Sequence, residues 1–204
     1  MNNPNQRKTK NKVKEIKTYP IPFDLLENQE NISIFTSNHD KSSKEQIINE
    51  AIQFHLKGDI AEASKCYQYC INKGLYDHRV FSNFGAILQS LGKLEEAEKY
   101  FRKAIELKPD FAEANYNMGI ILKDLGKLRI AELSYRKAIE IKPNYAEAHY
   151  SLGIILKDLG KLQSAFNSYL KAIDINPTLS NIYVSITRFL EDSDPSQLNK
   201  SKLK

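Results

Sequence analysis

From residue 44 onward, apolar residues return at helical spacing in short blocks, each closed by a glycine or a proline. Phe81, Phe84 and Leu88 mark one face, then Ala97, Phe101 and Ile105 mark another after Gly92. The pattern predicts helices near 44–56, 60–72, 78–91, 94–107, 112–125, 128–141, 146–159 and 162–175. Ser42 or Ser43 can cap the first, because a hydroxyl satisfies an orphan backbone N–H. Gly58, Gly92, Gly126 and Gly160 close the first helix of each pair, where a left-handed residue is needed. Pro109, Pro143 and Pro177 close the second helix of the later pairs. These prolines recur every 34 residues, and so does the turn Leu91-Gly92-Lys93-Leu94, at Leu125 and at Leu159. A fixed period of that size means stacked helical pairs rather than one compact core.

The residues at fixed offsets within the period are Phe81, Phe84-Gly85, Leu88, Ala97, Phe101 and Pro109. Met118-Gly119, Ala131, Tyr135, Ala138 and Pro143 repeat them, as do Leu152-Gly153, Ala165, Tyr169, Ala172 and Pro177. This pattern resembles the tetratricopeptide repeat (TPR). The resemblance implies an all-α fold, a right-handed α-solenoid of helix-turn-helix units with a C-terminal capping helix. The units are 44–77, 78–111, 112–145 and 146–179, within an array spanning 44–191. The first is a weaker copy: Gly58, Ala63 and Tyr67 keep register, while Ala51, Cys70 and Leu75 replace Gly, Ala and Pro. Gly85, Gly119 and Gly153 are expected to let the two helices of a pair approach closely, facing Ala97, Ala131 and Ala165. The stretch 180–191, with Ile182, Tyr183, Ile186, Phe189 and Leu190, reads as an amphipathic helix that caps the array. Residues 192–204 form a polar tail.

In the family the first, or A, helices line a concave groove that cradles a peptide or a partner helix. Counting each repeat from its first residue, positions 2, 5, 6, 9, 12 and 13 share that face. Here they carry Tyr116 and Tyr150, Asn83 and Asn117, Ile120 and Ile154, and Lys123 and Lys157. The resemblance makes these eight the expected peptide-binding groove: tyrosine and isoleucine for apolar contact, asparagine for the peptide backbone, lysine for charge. An amide both donates and accepts, so asparagine can hold a backbone whatever its sequence. The TPR arm of the protein O-linked N-acetylglucosamine transferases looks similar at this column. The carboxylate clamp of chaperone-binding TPR domains matches poorly, because Ile48, Ile52, Glu113 and Asn117 stand where its Lys, Asn, Lys and Arg would be.

Charge changes little in this picture. The net charge is +5, but the surplus sits in a basic leader, where Arg7, Lys8, Lys10, Lys12, Lys14 and Lys17 oppose only Glu15. The repeats are not a basic groove, and nucleic acid is not an expected partner. The leader, 1–43, reads as poorly ordered, with an apolar island at Tyr19-Pro-Ile-Pro-Phe23-Asp-Leu-Leu26. That island suits an extended piece laid over the first repeat, or a linear motif for another protein. Cys66 and Cys70 lie four apart on one helix, which is poor disulfide geometry and fits packing thiols. No signal peptide or membrane span is evident, so a cytoplasmic location is expected.

The outer charges, among them Glu95, Glu98, Lys99, Arg102, Glu132 and Arg136, read as a solvated face. His39, His55, His78 and His149 are scattered, and no metal-ligand spacing or phosphate-binding loop is present. The expectation is a scaffold for a protein or peptide ligand, without catalysis, metal, cofactor or small-molecule substrate. The alternative is a substrate-presenting arm of a truncated or split transferase of the glycosyl, sulfo or methyl type.

Overall fold

The computed structural model describes residues 43–178. Among these residues eight helices follow one another: α1 (Lys44–Leu56), α2 (Ile60–Asn72), α3 (His78–Ser90), α4 (Leu94–Leu107), α5 (Ala112–Asp124), α6 (Leu128–Ile141), α7 (Ala146–Asp158) and α8 (Leu162–Ile175). They pair as antiparallel A and B helices into four repeats, an all-α solenoid of TPR units. The leader, the 180–191 helix and the polar tail lie outside the described residues.

Local chemistry sets each boundary. Ser43, rather than Ser42, begins α1 with a reciprocal capping box: its Oγ accepts from the Gln46 N–H and the Gln46 Oε1 accepts from the Ser43 N–H. Each A helix ends at a glycine in the left-handed region, with φ of 72 to 78° at Gly58, Gly92, Gly126 and Gly160. The next N–H then reaches back to a helix carbonyl, as from Lys127 to Leu122 at 2.7 Å. The B helices end differently. Lys108, Lys142 and Asn176 are forced toward extended backbone by the prolines that follow. The first repeat, lacking that proline, stops α2 with a second left-handed glycine, Gly74, at φ 70°.

The main apolar cluster runs through all four repeats, with a smaller one at Phe81, Ala104 and Ala114. Within each of the three later pairs the A-helix glycine seats a B-helix aromatic ring. A Cβ built at Gly119 would lie 2.6 Å from Tyr135, at Gly153 2.5 Å from Tyr169, and at Gly85 3.3 Å from Phe101. Ala97, Ala131 and Ala165 are fully buried elsewhere in the same interface.

The first repeat closes the near end of the stack. In later A helices the face toward the preceding repeat is apolar: Val80, Phe84 and Ile87 in α3, and Ala114, Met118 and Ile121 in α5, are buried. At the same register α1 carries Gln46, Glu50 and Gln53, with Gln46 and Gln53 exposed. A polar outer face is what a terminal repeat requires.

The outer charges Glu95, Lys99, Arg102 and Arg136 are exposed as expected, but two ion clusters centred on Glu98 and Glu132 tie successive repeats. Glu98 accepts from Arg102 at 2.8 Å, one helical turn along α4, and from Lys127 of the next repeat at 2.8 Å. Glu132 repeats this with Arg136 at 3.0 Å and Lys161 at 2.7 Å, and is itself buried. The Lys127 bond, helped by Arg102, holds the Glu98 carboxyl below its ordinary range. Burial alone would raise the Glu132 carboxyl, but Lys161 and Arg136 outweigh it and the net direction is again downward. A carboxylate depressed in the fold contributes stability that is present above the unfolded value and lost as pH falls through the folded one. Thermal melts are therefore expected to show wild type more stable than Glu98→Gln/Glu132→Gln at pH 7, with the gap closing below about pH 4. A gap unchanged down to pH 3 would contradict the assignment.

Cys66 and Cys70 are fully buried and unpaired as a disulfide. Burial pushes both thiols up, Cys70 to about 11, so they are inert packing groups.

Candidate peptide-binding groove

Successive A helices α3 and α5 touch, and side chains at the recurring A-helix positions share one face of each helix, which together form a wall. Tyr116, Asn117, Ile120 and Lys123 come from α5, and Tyr150, Ile154 and Lys157 from α7; all seven are half-buried.

The wall varies along its length. At the first repeat Ile52 is half-buried and Leu56 stands 76% exposed. The second repeat is lined by the small residues Ser82 and Ala86. The third and fourth are aromatic. Tyr116 packs on Tyr135 with ring centroids 5.8 Å apart and on Tyr145 at 5.0 Å, and Tyr150 lies on Tyr169 at 5.9 Å. Such ring pairs hold the tyrosines in place without a ligand. Tyr145 escaped the positional rule because it precedes α7 by one residue. Its ring is capped by Lys142 Nζ, 4.5 Å from the centroid, and Lys142 also reaches Glu113 at 3.3 Å.

The asparagine column is uneven, for a reason that lies in the preceding repeat. Asn83 Nδ2 donates to the Tyr67 hydroxyl at 3.1 Å. Tyr67 is fully buried, and burial drives its phenol up to about 12 despite that bond. Ser151 stands at the same register in the fourth repeat and serves the phenols of Tyr135 and Tyr116, easing the upward push that burial gives both. Asn117 occupies this register in the third repeat, where the preceding B helix carries Phe101, which has no hydroxyl. Among the described residues no hydrogen bond engages the Asn117 amide.

The two lysines are not equivalent to free charges. Lys123 lies 3.3 Å from Asp124, and Lys157 also has a partner. Burial beside Tyr67 pushes the His55 imidazole below its ordinary range, with Nδ1 3.4 Å from the hydroxyl. Among the described residues no cluster of three or more His, Cys, Asp or Glu gathers as a metal site. No described helix is long and apolar enough to cross a membrane.

Paired helices of constant length, left-handed glycines between them and a glycine-seated aromatic in each later pair define a helical-repeat solenoid with a concave A-helix wall. Family models agree: one described as TPR repeat matches 85–126 and 121–160, and one described as tetratricopeptide repeat matches 146–179. Residues 85–179 are therefore repeats of the tetratricopeptide-repeat family. A search of curated proteins gave no match. Among solved structures, MamA is similar at 25% identity and TM-score 0.63, covering 69% of this chain and 82% of its own. YrrB, a TPR protein with an unusual peptide-binding site, is similar at 22% identity and TM-score 0.64, covering 80% and 88%. The first TPR of Spaghetti (RPAP3), bound to an HSP90 peptide, is similar at 20% identity and TM-score 0.55, covering 56% and 90%.

Proposed function

We propose that this array is a non-catalytic interaction scaffold that holds a peptide of a partner protein along its concave wall. The observation that carries this reading is the Asn117 amide. It stands without an internal partner between aromatic and aliphatic neighbours, whereas Asn83 is engaged by Tyr67. A peptide laid across α5 and α7 meets one amide able both to donate and to accept, with Tyr116 and Tyr150 as rigid apolar contacts. The small residues Ser82 and Ala86 leave room for a large ligand side chain beside Leu56. YrrB and the RPAP3 repeat domain, both structurally similar, are TPR proteins with a peptide site or a bound peptide, which favours the same use here.

Peptides selected from a random displayed library against the wild-type array test this directly. Asn117→Ala is expected to weaken a selected peptide about tenfold, the loss of a backbone hydrogen-bond pair. Asn83→Ala is expected to weaken it by threefold or less, about 0.7 kcal/mol. Equal losses would contradict the assigned roles, and no loss from either would place the ligand elsewhere.

A further inference from the structure

The outer face of the third repeat breaks the pattern of the others. Ile130 and Leu133, one turn apart on α6, are 52% and 65% exposed. At the same two positions the other repeats carry Glu62 and Lys65, Glu96 and Lys99, or Ser164 and Asn167. The solenoid thus places two aliphatic side chains in water where its own repeat prefers charge or amide. Isolated exposed apolar residues are ordinary, but here the surroundings are also specific.

Toward α8 the same flank of α6 leads into a shallow depression of about 440 Å³. Ile139 and Leu152 contribute its apolar lining, and Arg136, Lys171 and His149 line it together with one carboxylate, Glu140. The inter-repeat clusters leave this side cationic, because Glu132 alone answers both Arg136 and Lys161. Lys137 is balanced by Glu140. Arg129 and Lys171 are exposed and, among the described residues, form no ion pair.

We propose that this outer face of α6 and α8 is a second docking surface, separate from the concave groove, for an acidic peptide segment that presents apolar side chains. Ile130 and Leu133 would take the apolar side chains, and Arg129, Arg136 and Lys171 the carboxylates. A second copy of this chain suits the face poorly, since two such faces would oppose cation to cation. A nucleic acid would satisfy the cations but gain nothing from two exposed aliphatics in a patch without an exposed aromatic ring.

The test uses the full chain and a fluorescein-labelled amphipathic peptide with Leu at i, i+3 and i+7 and Glu at positions flanking that stripe, within reach of the same docking face. The same peptide with Lys for Glu and a short single-stranded RNA run alongside. Ile130→Glu/Leu133→Lys installs the pair that the second repeat already carries as Glu96 and Lys99, so the fold tolerates it; equal melting temperature checks this. The proposal expects the acidic peptide to bind wild type, to bind this variant about tenfold more weakly, and to bind Asn117→Ala unchanged. Arg129→Glu/Lys171→Glu, a second variant that leaves the core untouched, is expected to weaken it likewise. The proposal is overturned by no binding of the acidic peptide, by equal binding of the Lys peptide, or by affinity unaltered in either surface variant. Loss in Asn117→Ala would put the peptide in the groove instead, and displacement by the RNA would make the face a polyanion site.

Discussion

Tyr135→Ala is expected to cost about 3–5 kcal/mol, the range for removing a buried aromatic side chain. The ring is 1% exposed, fills the space above Gly119, and supports Tyr116 in the groove at 5.8 Å. The loss therefore spans the A/B interface of the third repeat and the wall of the site together. Tyr135→Phe is the informative partner. Phe101 occupies this position naturally in the second repeat, so removing the hydroxyl alone is expected to cost about 1 kcal/mol or less. Chemical denaturation of both variants checks the pair. A Tyr135→Ala variant within 1 kcal/mol of wild type would mean that the ring does not fill this interface.

Gly119→Ala carries the second large effect, and its sign depends on geometry. Alanine is the better helix former by about 1 kcal/mol, yet its Cβ would sit 2.6 Å from a ring that burial prevents from moving. Overpacking of this kind costs about 1–3 kcal/mol, so net destabilisation is expected. Gly85→Ala places its Cβ 3.3 Å from Phe101, where slight crowding and improved propensity offset each other, and stability near wild type is expected. The first repeat already carries Ala51 at this register against a buried Tyr67. Urea unfolding of the two variants side by side decides it. Equal effects would show that the third repeat is no tighter than the second.

Much of the fold was legible because its determinants are local and periodic. Gly92, Gly126 and Gly160 declare a left-handed turn, Pro109, Pro143 and Pro177 declare a stop, and their spacing declares the stack. What was not legible depends on which of two periodic positions faces a third. The Tyr135 ring is the nearest neighbour above Gly119, although the Ala131 column carries the same period. The Glu98–Lys127 and Glu132–Lys161 clusters join residues of different repeats, so a reading confined to helix neighbours four apart took Glu98 and Glu132 for solvated charge. Gly74 stops α2 at a register where the other repeats rely on the proline that follows, so the period carries no sign of it.

The groove was half legible. Its columns follow from the helix face, but whether an asparagine is available depends on the residue sixteen positions earlier. The signal was present: Tyr67 and Tyr135 bear hydroxyls, and Phe101 does not. Comparing columns between adjacent helices, rather than along one, separates Asn117 from Asn83.

The central claim is that a partner protein is held on the concave wall of α5 and α7. The most direct measurement is affinity capture from a lysate of the source organism, read by mass spectrometry. Wild type would run beside Tyr116→Ala/Asn117→Ala/Tyr150→Ala, with helicity checked by circular dichroism. A discrete set of proteins retained by wild type and lost from the folded triple variant is the predicted result. The same proteins retained equally by both would contradict the claim.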